Sequence, residues 1–275
     1  MKNRRNLMVF IIVTLGCGWF GVFIDSILID QPEGNSLGMG LWLILPLITS
    51  IILRIVNHDW KDAGIKLNFR KNWKWYLVSL LIYPLSMLLS VLIAFMFGKV
   101  DIKQMSLITY LPIILIMIPG NIVKNIFEEF SWRGYLAPKL IALKLNDWMI
   151  YLITGFVWSF WHAAYYLVFL PDTYFEETTR FNMLISGWIV MTCWSVMFVE
   201  IRRLTNSVWP CIIMHTIEEA VPTALVTIGG YIVFSQSQRT WFDPISGILV
   251  NVIFVIIGLL LRAHRMKREY NIALD

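Results

Sequence analysis

Charged residues are scarce in this chain of 275 residues: Asp, Glu, Lys and Arg make up 15% of it, whereas hydrophobic residues make up 58%. Soluble domains carry nearer a quarter of charged residues, so the composition excludes an ordinary soluble domain. The apolar residues fall in several long runs, and the mean hydropathy is +0.67. The sequence therefore predicts an all-α, polytopic membrane protein.

Cysteine is rare as well, and the chain lacks repeats, low-complexity runs and long linkers. Cys17, Cys193 and Cys211 are widely spaced, odd in number and set in apolar segments. This pattern argues against a disulfide framework, and we expect buried free thiols. Without a linker or a repeat, the simplest organisation is a single integral membrane domain over residues 1–275.

Apolar runs of membrane-spanning length predict about eight transmembrane helices. They lie near residues 7–29, 37–56, 74–97, 106–127, 149–170, 183–200, 208–234 and 243–261. The first follows the basic stretch "MKNRRN", but it is too long for a signal-peptide core and has no clear small-residue cleavage site. We therefore expect it to be retained as the first helix.

Lys and Arg concentrate in alternate loops and at both ends of the chain. These positions are Lys2, Arg4 and Arg5, then Arg54 to Lys74, then Arg133, Lys139 and Lys144, then Arg202 and Arg203, and finally Arg262 to Arg268. Because cytoplasmic loops are enriched in basic residues, both termini are predicted to be cytoplasmic. The basic, amphiphilic stretch 57–73 is expected at the cytoplasmic interface, where it would meet membrane lipid. The net charge of +5 thus reflects topology, and we expect no nucleic-acid partner.

Two adjacent glutamates and an arginine stand in "NIFEEFSWRGYL", at the end of the fourth apolar run. Unpaired charge in hydrocarbon costs at least a few kcal/mol, so such residues are rare there. In a continuing helix, Glu129 and Arg133 pair at i and i+4, and Glu128 points about 100° away from Glu129. One glutamate can then be held structurally while the other faces a cavity. The alternative is an ordinary ion pair at a helix end.

Two histidines also lie in apolar runs. His162 ends "GFVWSFWH", where a lone histidine is more often a satisfied interior residue than a catalyst. In "SVWPCIIMHTIEEAVP", His215 and Glu219 share a helix face at i and i+4, with Glu218 at i+3. These groups should face the bundle interior or a water-filled cavity. The alternative is that the helix ends early and leaves residues 218 and 219 in a loop.

Carboxylate and histidine together can activate a water molecule for hydrolysis, and peptide hydrolysis also needs a group that stabilises the oxyanion. No serine or cysteine stands in a recognisable nucleophile elbow. The zinc-protease spacing H-E-x-x-H is absent as well. A divalent metal such as zinc, held by Glu128, His162 and His215 with an open position, stays an alternative to a site without metal.

These segments resemble the three motifs of the CPBP intramembrane proteases, also called the Abi or CAAX-protease family. "EEFSWR" resembles the first motif, EExxxR. "WSFWH" resembles the second, an aromatic residue four before a histidine, with Trp158 where phenylalanine is commoner. "TNSVWPCIIMH", ending at His215, resembles the third motif, H-x-x-x-N/D. The resemblance covers about residues 110–225.

The resemblance implies eight helices that enclose a polar cavity open to the cytoplasmic side. It implies that Glu128 and His162 position and activate the attacking water. Glu129 and Arg133 would brace the site.

In the third motif, His215 and the fourth residue after it would support the oxyanion. That residue is Glu219 here, where the family usually has asparagine. A carboxylate cannot donate a hydrogen bond unless it is protonated. Either Glu219 is protonated, or His215 acts without it, or the activity is reduced or altered.

Three functions follow from these patterns. The first is an intramembrane endopeptidase of a bacterial cell membrane that cleaves a peptide or membrane-protein substrate near the cytoplasmic face. The second is a non-proteolytic protein of bacteriocin self-immunity or regulation, which the unusual Glu219 favours. The third is a proton-coupled transporter with buried carboxylates and histidines, although the sequence shows no inverted repeat. The oligomeric state does not follow from the sequence.

Overall fold

The computed structural model describes residues 2–28, 30–32, 34–104, 106–176 and 178–274. These ranges are almost entirely helical, and the longer helices are connected by short turns. The helices are α1 Lys2–Ile27, α2 Leu37–Asn57, α3 Phe69–Met96, α4 Leu107–Ser131, α5 Ala137–Ala142, α6 Asp147–Trp161, α7 Arg180–Thr205, α8 Trp209–Pro222, α9 Gln236–Phe242 and α10 Ile248–Leu274. Three π-helical segments, Trp132–Leu136, Tyr165–Phe169 and Thr223–Ile228, and one 3₁₀ turn, Asp172–Phe175, accompany them.

Eight segments within these ranges are long and apolar enough to cross a membrane, which confirms the predicted polytopic all-α fold. They are Arg4–Ile27, Leu37–Asn57, Phe69–Met96, Leu107–Ala142, Asp147–Phe169, Arg180–Thr205, Trp209–Ile228 and Ile248–Ile272. The protein is an integral membrane protein. The predicted end of the first span, residue 29, lies outside the described residues.

Several predicted span ends were wrong, each for a local reason. The fourth span continues from 127 to Ala142, because the polar side chains that follow Phe127 are buried and paired. The eighth continues from 261 to Ile272, because its basic residues are good helix formers. The seventh ends at Ile228 rather than 234, since Gly230 adopts a left-handed φ of 58° that breaks the helix.

The residues beyond Gly230 form a short strand that the sequence did not indicate. Strand β1, Asp101–Ile102, pairs antiparallel with β2, Ile232–Val233, in a two-stranded ribbon. The ribbon lies before α4 and after the π-helical segment that continues α8.

Two compact units are distinguished in the chain. The first comprises Met1–Gly64 and Phe127–Ser195, and the second comprises Ile65–Ile126 and Val196–Asp275. The prediction of a single membrane domain stays a prediction.

In the first unit, α1 and α2 approach each other closely at two glycines. A Cβ placed on Gly21 would lie 2.3 Å from the backbone oxygen of Gly38, and a Cβ on Gly38 would lie 2.2 Å from the oxygen of Gly21. Small residues allow such close packing of membrane helices. Asp25 accepts the backbone N–H of Gly38 at 2.7 Å, so the first turn of α2 is tied to α1.

In the second unit, α3 packs against α8 and α10. A buried ion pair ties α7 to α10, since Arg265 Nε donates to Glu200 Oε2 at 2.6 Å. This contact anchors the basic C-terminal part of α10, which continues beyond residue 261, the predicted end of the last span. None of the three cysteines is in a disulfide: Cys17 and Cys211 are buried, and Cys193 is half-buried.

Gly21→Ala is expected to lower the stability of the protein by about 1–3 kcal/mol, because backbone atoms of α2 cannot move aside as a flexible side chain would. The matched control is Gly16→Ala in the same helix, where an added Cβ would meet no described atom within 4 Å. Since alanine is the better helix former, Gly16→Ala should be neutral or stabilising. Thermal unfolding in detergent checks both, and equal unfolding temperatures would contradict the close-packing account.

Candidate functional site

The first motif lies where α4 passes into the π-helical segment Trp132–Leu136. Arg133 Nη1 donates to Glu129 Oε1 at 2.9 Å, so the predicted i, i+4 pair forms. Both side chains are fully buried, with exposed fractions of 0%. Removing one member of such a pair strands a charge in an apolar interior. Isolated π-turns are frequent at functional sites, and this one contains Arg133.

Glu128, the neighbouring glutamate, has different partners. Its Oε2 accepts the indole N–H of Trp158 at 3.0 Å and that of Trp132 at 3.4 Å. Only 2% of Glu128 is exposed. These two indole N–H donors orient the carboxylate.

His162 is held at the C-terminal end of α6. A helix end leaves backbone carbonyls without intrahelical donors. The backbone N–H of His162 bonds to the Ser159 oxygen at 2.9 Å, and its Nδ1 lies 2.9 Å from the carbonyl oxygen of Trp158. A carbonyl oxygen only accepts, so Nδ1 carries the proton and Nε2 is the acceptor nitrogen of the neutral ring.

Trp158 therefore holds both groups: its indole donates to Glu128, and its carbonyl accepts from His162. The Arg133 guanidinium lies over its ring at 4.2 Å from the centroid. We did not predict a role for this side chain, although the sequence carried a signal. A buried tryptophan must usually find an acceptor for its N–H, whereas phenylalanine, the commoner residue at this motif position, has no N–H in its side chain.

Reciprocal hydrogen bonds between two other tryptophans fix this end of α6 to α2. Trp42 Nε1 donates to the Trp161 oxygen at 2.8 Å, and Trp161 Nε1 donates to the Trp42 oxygen at 3.1 Å. Their rings stack at 4.2 Å between centroids. His162 packs its ring on Tyr166 at 5.4 Å, so aromatic side chains restrain the imidazole.

A network of charged side chains also contacts the π-helical segment. Arg54 donates to the Gly134 oxygen, and its Nη1 lies 2.9 Å from Asp59 Oδ1 and 2.6 Å from Asp62 Oδ1. Lys139 Nζ contacts the same two carboxylates at 2.7 and 2.9 Å. Burial raises the pKa of Asp62, but hydrogen bonds from Arg54 and Lys139 outweigh it and hold that pKa below its usual value. We had predicted Arg54 and Lys139 as basic loop residues, but both are buried and paired.

The third motif lies on α8 in the second unit. Helix α8 runs to Pro222, so the alternative that residues 218 and 219 lie in a loop was wrong. His215 Nε2 lies 3.9 Å from Glu219 Oε1, and Phe198 packs edge-on against the imidazole at 5.8 Å. Glu218 is buried on the same helix.

Two residues of α4 that the sequence analysis missed contact Glu219. Lys124 Nζ forms an ion pair with Oε1, and Asn125 Nδ2 donates to Oε2 at 2.9 Å. Asn125 is fully buried, and its Nδ2 also lies 3.4 Å from Thr216 Oγ1.

The predicted site residues are thus divided between the units. Glu128, Glu129, Arg133 and His162 belong to the first, and His215 and Glu219 to the second. The hydrogen bonds to Trp158 link Glu128 and His162 through one residue. Contacts within the second unit join His215 and Glu219 to Lys124 and Asn125.

Part of this donor set fits the metal that the sequence analysis left as an alternative. Histidines that bind zinc commonly donate their other ring N–H to a backbone carbonyl. His162 has that arrangement, and Glu128 offers a carboxylate beside the same tryptophan. The same arrangement equally suits an imidazole that accepts a proton or a hydrogen bond from water.

The fold and the site together define a class: a polytopic α-helical membrane protein with buried carboxylates and histidines. Residues 109–221, about two fifths of the chain, match a family model described as Rce1-like, type II CAAX prenyl endopeptidase Rce1-like. The match covers all three motifs, and it confirms the resemblance to the CAAX proteases. At family level it supports an intramembrane endopeptidase. No curated protein matches the chain.

Trp158→Phe is expected to slow peptide cleavage roughly 10- to 100-fold, because a hydrogen bond to a charged group contributes about 1.5–3 kcal/mol. The variant keeps an aromatic ring beneath Arg133 and removes only the donor to Glu128. Trp148→Phe, at an exposed position of the same helix, is the matched control. Cleavage rates measured for both variants check the expectation, and equal rates would show that the indole N–H does not matter.

Proposed function

We propose that this protein is an intramembrane endopeptidase in which Glu128 and His162 activate a water molecule. The observation that carries the proposal is the double role of Trp158, whose indole orients the Glu128 carboxylate and whose carbonyl sets the His162 tautomer. A carboxylate and an imidazole acceptor supported by one rigid residue are suited to bind and deprotonate water. The family match supports this class of reaction.

In the proposed reaction, Glu128 takes a proton from water while His162 Nε2 accepts a hydrogen bond from it. The hydroxide oxygen attacks the peptide carbonyl carbon, and the carbonyl oxygen gains negative charge in a tetrahedral intermediate. The C–N bond then breaks, and the proton held by Glu128 passes to the leaving amine. One water is consumed, and the products are a carboxyl group and an amine.

Glu129 and Arg133 have a supporting role in this proposal. Their ion pair is fully buried, and the guanidinium lies against the ring of Trp158. The pair would therefore hold the tryptophan that orients Glu128. His215 would support the oxyanion, as the motif resemblance implies, and the role of Glu219 is developed below.

We further propose that the site works from the cytoplasmic side of a bacterial cell membrane, with both chain termini in the cytoplasm. The excess of Lys and Arg in alternate loops supports this orientation. The substrate would be a peptide or a membrane protein with a cleavable segment near that face. A divalent metal, if bound through Glu128 and His162, would supply Lewis-acid activation of water.

Glu128→Gln is expected to slow cleavage of quenched fluorescent peptides by about 10²–10⁴-fold, because the amide cannot take the proton. The assay uses purified full-length protein in detergent, with and without a chelator. Loss of activity on substitution but not on chelation supports activation by glutamate and histidine alone. Loss of activity both on substitution and on chelation supports a bound metal in addition. Cleavage by Glu128→Gln at the wild-type rate would contradict the proposal.

A second candidate is the non-proteolytic role in self-immunity or regulation, which Glu219 favours because it replaces an amide donor in the third motif. The two roles separate in cells that carry the protein's phenotype. Protection that survives Glu128→Gln in full would support the non-proteolytic role.

A further inference from the structure

The carboxylate of Glu219 poses an electrostatic problem for the proposed peptidase. Negative charge develops on the substrate carbonyl oxygen during attack, and a nearby anion would oppose it. Both Glu219 oxygens have donors from α4: Lys124 pairs with Oε1, and the Asn125 amide donates to Oε2 at 2.9 Å. The acidic residue is therefore part of a cluster with compensating charge.

We propose that Lys124 supplies the positive charge that stabilises the oxyanion, and that Glu219 and Asn125 position it. This inference rests on the proposed peptidase function and extends it to residues outside the three motifs. In place of one neutral amide at position 219, the protein would use an ion pair.

The distances around Glu219 support this division of roles. His215 Nε2 lies 3.9 Å from the same Oε1 that Lys124 contacts, so the ammonium and the imidazole approach one oxygen. An ammonium group has three N–H donors, so it can bind Oε1 and a substrate oxygen at once. A rate effect from such a donor requires that it reach the oxyanion. Lys124 contacts the same Glu219 oxygen that lies 3.9 Å from Nε2 of His215, the histidine proposed for that task.

The side chains of the two α4 residues, Lys124 and Asn125, differ in their exposed fraction. The Lys124 side chain is 34% exposed. Asn125 is fully buried and contacts both Glu219 and Thr216, two residues of α8. Asn125 thus suits a positioning role, whereas Lys124 suits contact with substrate.

A purely structural ion pair would behave differently. Lys124 lies within the membrane span Leu107–Ala142, so its loss from a purely structural pair would lower the unfolding temperature and leave the kcat of the folded protein unchanged. If the ammonium stabilises the oxyanion, its loss should also lower kcat and leave KM nearly unchanged. Removing the Glu219 carboxylate as well should then restore part of the rate, because an uncompensated anion no longer opposes the reaction.

The experiment measures kcat, KM and unfolding temperature for the full chain with a peptide that the wild type cleaves. We expect Lys124→Met to lower kcat about 100-fold, as for loss of one oxyanion donor, with KM changed by less than about threefold. Lys124→Arg, which keeps the charge, should retain at least about a tenth of the wild-type kcat. Lys124→Met combined with Glu219→Asn should be at least about tenfold faster than Lys124→Met alone. Lys103→Met, at an exposed position of the same unit, is the control.

The outcomes distinguish this inference from the function on which it rests. Full activity of Lys124→Met beside an inactive Glu128→Gln would overturn the inference and leave the peptidase function standing. A double variant no faster than Lys124→Met, or an equally inactive Lys124→Arg, would also overturn the inference, since charge would not be the property that matters. Wild-type cleavage by Glu128→Gln would overturn the proposed function, and this inference with it.

Discussion

The hydrogen bonds of Trp158 are the constraint on which the first-unit site depends. Helix α6 ends one residue before His162, so the Trp158 carbonyl is available to the imidazole rather than to the backbone. The indole of the same residue reaches Glu128 on α4 at 3.0 Å. A rotation of α6 that kept one contact would break the other. The carboxylate and the imidazole are therefore oriented together, which is the preorganisation that activation of water requires.

Several acidic side chains in this protein are held by ion pairs with basic side chains. Glu129 pairs with Arg133, Glu200 pairs with Arg265, and Asp59 and Asp62 share Arg54 and Lys139. The Glu129–Arg133 and Glu200–Arg265 pairs are buried, so each would be costly to break. Glu128 accepts hydrogen bonds from the indoles of Trp158 and Trp132, which orient its carboxylate.

The spans and the local helix pairs could be predicted because both depend on residues close in sequence. The Glu129–Arg133 pair follows from i, i+4 spacing, and the eight spans follow from continuous apolar runs. The contacts that complete the site join distant residues: Lys139 lies 80 positions from Asp59, and Asn125 lies 94 from Glu219. No periodicity within one segment indicates such partners. For the same reason Arg54 and Lys139 resembled solvated loop charges in the sequence.

The central claim is that adjacent glutamates have different roles, and the most direct test sets Glu128→Gln beside Glu129→Gln. Cleavage rate and unfolding temperature would be measured for both in the same detergent. The account predicts that Glu128→Gln keeps the wild-type unfolding temperature but is inactive. Glu129→Gln should unfold at a lower temperature, because it strands the buried Arg133 charge at a cost of about 3–5 kcal/mol. Equal effects of the two substitutions on both quantities would contradict the separation of roles.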